Sequence, residues 1–522
     1  MIDTSALREK VLDLAIRGKL VTQDPNDEPA SVLLERIRAE KEQMVKDGKL
    51  KAKDIKNDTI IFKGEDNLHY EQFSDGTVKC IEDEIPFDVP EGWAWCRLGD
   101  LFKHNTGKAL NASKSEGTIL TYITTSNVYW DRFELNNLKS MPFADSEIEK
   151  CTVRKGDLLV CEGGDIGRAA IWNSDEDIRI QNHIHRLRPY DKINCQFYYY
   201  ILYLYKLNGK INGNGIGLQG LSSNALHSII VPLPPINGQI KIASKLEQIF
   251  LLIADVEAEK SDLSMISTAI KSKILDLAIR GKLVPQNLDD EPASVLLERI
   301  KAEKEELIKQ GKIKRDKKES IIFKGEDNSY YRTYDKFTEC IEGSLLFDLP
   351  SNWIWVTLPN IAQIELGKTL DQAKNKGDYH PYIRSVNVQW GHIDLTDVKS
   401  MRFEQNELER YSIKKGDMLI CEGGDVGRCC IWEIEESILY QNAIHRVRFY
   451  DKINCKFYMY VMMFFEFNGI LKKISNGVTI KHLTGIALSG LVCPLPPLKE
   501  QTRIVDAIET AFEQLDNILN LI

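Results

Sequence analysis

The chain has 522 residues, a formal net charge of −9, 43% hydrophobic residues and 28% charged residues, values ordinary for a soluble globular protein with ample chain for large cores. Its longest apolar run, Phe457 to Phe465, is half of what a membrane span needs, and the opening MIDTSALREK lacks the basic and apolar blocks of a signal peptide. Eleven cysteines without a CxxC pair argue against a zinc cluster and for reduced thiols in a cytoplasm.

Read in chain order, the sequence repeats itself. LDLAIRGKLV stands at Leu12 to Val21 and again at Leu275 to Val284, and EPASVLLERI at Glu28 to Ile37 and Glu291 to Ile300. IIFKGEDN recurs at Ile60 and Ile321, the WxW of Trp93 and Trp95 at Trp353 and Trp355, and YDKINC at Tyr190 and Tyr450. KGDLLVCEGGDIGRAAIW, from Lys155 to Trp172, returns from Lys415 with 13 of 18 letters identical. PLPP recurs at Pro232 and Pro494. A unit of nearly half the chain is too long for a solenoid and points to two large pseudo-equivalent halves.

Between the PLPP segments the pattern predicts long helices. Ile242, Ile249, Val256, Leu263, Ile270 and Leu277 recur every seventh residue, with Leu246, Ile253 and Ile274 at d-type sites and Lys260 and Ser267 interrupting them. Six unbroken a positions predict a coiled coil. The C-terminal segment offers Ile504, Ala511 and Ile518 as a with Ile508, Leu515 and Ile522 as d; the N-terminal segment offers Leu7 and Leu14 as a with Thr4 and Val11 as d. By offset, Ile522 corresponds to Lys260 and Met1 to Ser264. The expectation is a circularly permuted, two-fold pseudo-symmetric chain in which the central helix pairs antiparallel with a split copy of itself. The expected divisions are 1–84, a split helix and helical arm; 85–235, a first module; 236–344, the central helix and second arm; 345–497, a second module; and 498–522, the C-terminal split helix.

Each module reads as mixed α/β. Short strand-like runs (TYITTSNVYW, DLLVCEGG, AAIW, IHRLRPY and their counterparts) precede a helical aromatic stripe, FYYYILYLY or FYMYVMMFFEF, which reads as core. CEGGDIGR matches neither a dinucleotide fingerprint nor a P-loop, because its glycines are misplaced and the following AAIW reads as strand. It predicts a glycine turn joining two strands, with Arg168 and Arg428 pointing out of it. No amino-methyltransferase [DN]PP[YFW] motif and no acid series ending in (D/E)xK is present. The HIH of His183 and His185 has Ala443 at its first position in the second module, which reads as one surface histidine rather than a catalytic pair.

Charge is unevenly spread. Residues 96–235 carry 16 Lys and Arg against 14 Asp and Glu, and residues 356–497 carry 17 against 16, leaving a net −12 elsewhere. Two near-neutral modules between acidic arms predict few surplus phosphate contacts.

The modules differ from each other chiefly at polar tips. In YITTSNVYW and YIRSVNVQW the Tyr, Ile, Asn127/Asn387, Val and Trp persist, while Thr124, Ser126 and Tyr129 face Arg384, Val386 and Gln389, beside Ser385. Before PLPP, Gly217, Gln219 and Gly220 face Thr479, Lys481 and His482. One scaffold with changed tips suits two readers of different short sequences, since such polar side chains can bond base edges. The candidate DNA-binding residues are Thr124, Ser126, Asn127, Tyr129, Arg168, His183 and Gln219 in the first module and Arg384, Ser385, Asn387, Gln389, Arg428, Thr479, Lys481 and His482 in the second; no catalytic residue, metal or cofactor is expected.

At these residues the chain resembles the specificity subunit of type I restriction–modification enzymes. The carrying segments are PEGWAWCRLGD, YIRSVNVQWGHIDL, KGDMLICEGGDVGR and PLPPLKEQTRIVDAIETAF, with LAIRGKLV followed by EPASVLLERI. The resemblance implies two target-recognition domains, each reading half of a split site in double-stranded DNA, held apart by an antiparallel helix pair. It also implies that this helix pair docks the methylation subunits, two in number, with motor/nuclease subunits joining them, and no catalysis by this chain itself. A recognition subunit of another methylation system and a coiled-coil scaffold without DNA binding are the alternatives.

Overall fold

The computed structural model describes residues 3–52, 55–110, 117–211, 220–315, 320–334, 337–371, 373, 375–475 and 482–521. The chain divides into two compact units, Ile2–Glu259 and Lys260–Ile522, and the division cuts the single central helix Ile236–Ile279. The cut falls there because each half of that helix belongs to a different core. Ile242 and Leu246 pack with Val11, Leu12, Ala15 and Ile16 of the N-terminal helix Thr4–Ile16. Leu275, Ala278 and Ile279 pack with Ile504, Val505 and Ile508 of the C-terminal helix Leu498–Leu521.

Within the first unit, Asp27 accepts from Asn237 while Arg8 pairs with Glu257 at 3.0 Å. Within the second, Arg503 pairs with Asp290 at 2.6 Å and Lys271 with Asp516 at 2.5 Å. In both, later residues on one segment meet earlier residues on the other, as in antiparallel chains. The buried stripe follows the expected heptads from Ile242 through Ser267 and then departs from them: Ile270 is exposed. Leu7 and Ile518, expected inside, are exposed as well. A straight helix drifts against a strict seven-residue repeat, and the stripe moves accordingly to Lys271, Ile274, Leu275 and Ala278.

The first module is built on two four-stranded sheets. One orders Ala169–Ile171, Leu158–Cys161, Ile184–Pro189 and Phe102–Thr106, all antiparallel. The other orders Thr152–Val153, Ile178–Ile180, Thr118–Ile123 and Lys139–Phe143, with the middle pair parallel. The WxW and PLPP segments pair with each other as Ala94–Arg97 and Ile230–Leu233, closing the module next to the long helix. The second module repeats both sheets strand for strand, and Ile354–Thr357 pairs with Val492–Leu495. The aromatic stripes form the helices Cys195–Leu207 and Cys455–Phe467, and their rings are core. Phe197, Tyr198, Phe457 and Tyr458 are almost wholly buried.

Each module is braced by the same ion pair. The Arg188 guanidinium grips both oxygens of buried Asp157 at 2.7 and 2.6 Å, and Arg448 grips Asp417 at 2.7 and 2.7 Å.

One expectation needs correcting. The arms are not purely helical: after Ala30–Lys46 and Ala293–Lys309 each carries a three-stranded antiparallel sheet. These are Ile60–Lys63, His69–Gln72 and Val78–Cys80 in the first unit, and Ser320–Lys324, Tyr330–Tyr334 and Phe337–Cys340 in the second. The turn signals Gly64-Glu-Asp-Asn67 and Gly325-Glu-Asp-Asn328 make the hairpins, with Asn67 and Asn328 at positive φ.

Candidate nucleic-acid interface

The strand Thr118–Ile123 runs into a one-turn helix, Thr125–Asn127, then into the short hairpin Val128–Tyr129 and Arg132–Phe133. Asn127 makes this turn. Its Oδ1 accepts from the Thr124 N–H and hydroxyl, both at 2.9 Å, and its Nδ2 donates to the Glu134 carbonyl at 2.8 Å. Asn387 does the same for Arg384 N–H at 2.9 Å and donates to the Asp394 and Asp397 carbonyls at 2.9 and 3.1 Å. Both amides are buried and committed to the loop. Their persistence between modules therefore has a structural reason, apart from their place among the candidate DNA-binding residues.

The CEGGDIGR segment is a turn between paired strands, Leu158–Cys161 and Ala169–Ile171, as the sequence predicts. Gly164 and Gly167 sit at φ +73° and +80°, where a side chain is strained. At Gly167 a Cβ would also lie 2.6 Å from Ile211, and at Gly427 one would lie 2.4 Å from Leu471. The arginines are placed differently from expectation. Arg168 does not point out of the turn: its Nη2 donates to the Thr125 carbonyl at 2.7 Å and its guanidinium lies 4.8 Å from the Tyr129 ring centre. Arg428 donates to the Ser385 carbonyl at 3.1 Å. Each strap ties the glycine loop to the turn at 125–129 or 385–389. In the first module the Tyr129 ring also gives the Arg168 guanidinium a cation–π face.

A third segment joins them. Leu221 N–H donates to the Glu162 carbonyl at 2.8 Å, and Leu483 N–H to that of Glu422 at 2.7 Å. From the other side, His185 Nε2 donates to the Leu221 carbonyl at 2.7 Å and His445 Nε2 to the Leu483 carbonyl at 2.8 Å. A carbonyl can only accept, so both imidazoles carry their proton on Nε2. Burial pushes both below the ordinary histidine value, which keeps them neutral. The sequence hint to this tether is that IHR occurs in both modules, whereas His183 does not.

Three loops per module thus converge, and they bring together most of the residues expected at the site. Ser126, His183, Val386 and His482 present exposed tips, and Gly423 bridges to His482. The Thr124 hydroxyl lies 2.7 Å from that of Ser126. Arg384 is held at the rim by Asp397, through its carboxylate at 2.5 Å and its carbonyl at 3.0 Å. Gln389 Nε2 donates to the Val386 carbonyl at 2.9 Å. Tyr129 lies between Arg132 and Arg168, 5.0 and 4.8 Å from its ring centre. Gln219, Thr479 and Lys481 lie outside the described residues. Sequence reasoning missed Asp397, which no counterpart in the first module announces. Glu162, Asp165, Glu422 and Asp425 are interleaved with the arginines, so the surface has little cationic surplus. Among the described residues, no group of three or more His, Cys, Asp or Glu is placed to hold a metal ion, and no helix is long and apolar enough to cross a membrane.

The type I restriction modification DNA specificity domain matches residues 90–263 and 350–521, once per module. The chain belongs to this family. The EcoEI type I restriction enzyme specificity subunit of Escherichia coli is 25% identical, over 98% of this chain and 89% of its own length. The EcoAI specificity subunit, also of Escherichia coli, is 25% identical over 99% and 90%. A solved chain from a study of complex assembly and conformational transition of the type I R-M system shares the fold with a TM-score of 0.54, at 17% identity, over 84% of this chain and 94% of its own. The two specificity domains begin near the WxW strands and run through the PLPP strands into the long helices, so the three converging loops of each module lie inside them.

Proposed function

We propose that this chain is the DNA-reading subunit of a type I restriction–modification assembly, in which each specificity domain reads one half of a bipartite site in double-stranded DNA. The observation that carries this reading is one loop platform built twice, with the same anchors (Asn127 and Asn387, Arg168 and Arg428, His185 and His445) and different tips. Identical anchoring with changed tips is what two readers of unlike half-sites require, because base edges are told apart by donor and acceptor pattern. The reading side chains proposed are Thr124, Ser126, Tyr129, His183 and Gln219 in the first module. In the second they are Arg384, Gln389, Thr479, Lys481 and His482, with Val386 offering an apolar contact to a thymine methyl. Asn127, Arg168, Ser385, Asn387 and Arg428 shape the platform.

The central helix and its two terminal partners act as an antiparallel coiled coil that fixes half-site spacing, the terminal helices together serving as its permuted copy. Methylation subunits, two of them, dock on the chain and carry the methyl transfer, and motor/nuclease subunits join in the cytoplasm. The chain itself supplies specificity, not catalysis. Modified-base sequencing of genomic DNA from cells with and without this chain, in the presence of the partner subunits, tests the reading. The expected result is a methylated motif of two short half-sites around an unspecified spacer that vanishes without the chain; a motif that persists unchanged would overturn it.

A further inference from the structure

The turns that follow the strands Thr118–Ile123 and Asp378–Ile383 share one plan, but one contact within them differs. In the first module the Thr124 side chain finds its partners beside it, at the Ser126 hydroxyl and at Asn127 Oδ1. In the second, Val386 stands in place of Ser126, and Arg384 finds its partner 13 residues further on, at Asp397. The first module has Asn137 at the position of Asp397. Both ends of the contact have changed together, from an uncharged Thr and Asn to a charged Arg and Asp.

The turn does not need that carboxylate. Asn387 Nδ2 and Arg384 Nη2 both donate to the main-chain carbonyl of Asp397, at 3.1 and 3.0 Å, and any residue supplies a carbonyl. The first module closes the same turn through Asn127 on the Glu134 carbonyl, with no acid at position 137. Stability is not what the ion pair supplies either: the Asp397 side chain is 65% exposed, and pairs this open contribute little. Arg384 is fixed through Nη2, and its Nε is buried without an acceptor. Among the described residues, Arg384 Nη1 and Asp397 Oδ1 carry no hydrogen bond. The pair therefore keeps a spare donor beside a spare acceptor.

We infer that Arg384 and Asp397 together read one guanine·cytosine base pair in the second half-site, which makes Asp397 a specificity-determining residue. This inference rests on the proposed function. In the major groove guanine offers two adjacent acceptors, N7 and O6, and the cytosine across the pair offers its N4 amino donor next to O6. Nη1, with two free protons, meets the acceptors, and the carboxylate in contact with that guanidinium meets the amino group. Adenine puts its N6 amino group where guanine has O6, which opposes the arginine. The pair is neutral as a whole, so the acid adds no net repulsion toward phosphate, in keeping with a module whose cations and acids nearly balance.

The full chain, assembled with its partner subunits, is tested by modified-base sequencing and by DNA binding over a range of salt concentrations. Arg384→Ala and Asp397→Ala are each expected to relax the same single position, a guanine·cytosine pair of the wild-type motif, by about tenfold. The other half-site stays as it was. The salt dependences move apart: Asp397→Ala leaves an unpaired cation and steepens it, whereas Arg384→Ala leaves an unpaired acid and flattens it. The double variant Arg384→Thr with Asp397→Asn copies the first module, which folds with those residues, and decides the question where a single variant folds poorly. It is expected to relax the same position with the salt dependence unchanged. An Asp397→Ala motif identical to the wild type overturns the inference and leaves the proposed function standing. So does relaxation of different positions by the two single variants, or of an adenine·thymine pair. If the methylated motif persists without the chain, the proposed function fails and this inference with it.

Discussion

In the first module the imidazoles of His104, His185 and His227 form one group, with His104 Nε2 donating to the bare Nδ1 of His185 at 2.9 Å and the His104 and His227 rings 4.7 Å apart. In the second module the same places hold Ile364, His445 and Ser489, and a cleft of about 820 Å³ opens beside them, lined also by Trp355, Arg332 and Ile486. The one member kept in both is the histidine that tethers the third loop, at Leu221 or Leu483. Anchoring of the loop therefore constrains this layer, whereas what fills the space around the anchor does not.

The largest effect is expected at the shared braces. Asp157→Ala leaves Arg188 without its partner, and Asp417→Ala does so to Arg448. Removing one member of a buried pair costs about 3–5 kcal/mol. Hydrogen exchange read peptide by peptide is expected to show lost protection in the mutated module alone; equal loss in both would contradict two separately cored units.

Acid acts unequally on the two modules. Burial, aided by His185 and His227, pushes His104 down to about 3, and burial lowers His185 and His227. A histidine with a lowered folded-state value supports the fold fully above its ordinary value near 6.5. That support is lost as pH falls toward about 3, because the unfolded chain takes the proton first. The second module has only His445 in this position. The buried carboxyls Asp58 and Asp100, raised by burial, the latter to about 6, act in the opposite sense. The imidazole part is isolated by His104→Ile with His227→Ser, which copies the second module. This variant is expected to flatten the acid side of the first module's stability curve by up to about 1.4 kcal/mol per pH unit for each imidazole removed. Urea midpoints between pH 7 and pH 4 measure it, and an unchanged slope would show that the imidazoles do not govern it.

The smallest effect is expected at the helices. Glu257→Gln and Asp516→Asn remove partly exposed partners of Arg8 and Lys271 and should each change stability by less than about 1 kcal/mol, with the change shrinking in added salt. A larger, salt-independent loss would mean that these pairs set the helix register.

The repeat, the strands and the aromatic core helices were legible because hydrophobic period and duplicated segments are local signals. The arm sheets were not, because IIFKGEDN sits beside long Lys- and Glu-rich helical runs that dominate their surroundings. The directions of Arg168 and Arg428 depend on carbonyls 43 residues away in sequence, at Thr125 and Ser385, and no motif encodes that. Asn127 and Asn387 are candidate DNA-binding residues because an amide can bond a base edge; the capping geometry gives their amides a structural role that no motif encodes.

The central claim is that reading divides between the modules. His183 has Ala443 as its counterpart and an exposed ring, and Arg384 has Thr124. His183→Ala and Arg384→Ala, each expressed with the partner subunits, are read by sequencing of the methylated motif. A base-edge contact is worth about 1–3 kcal/mol of discrimination, so His183→Ala is expected to broaden one position in one half-site and Arg384→Ala one position in the other. If both variants altered the same half-site, or either relaxed both halves equally, the division of reading between the two modules would be wrong.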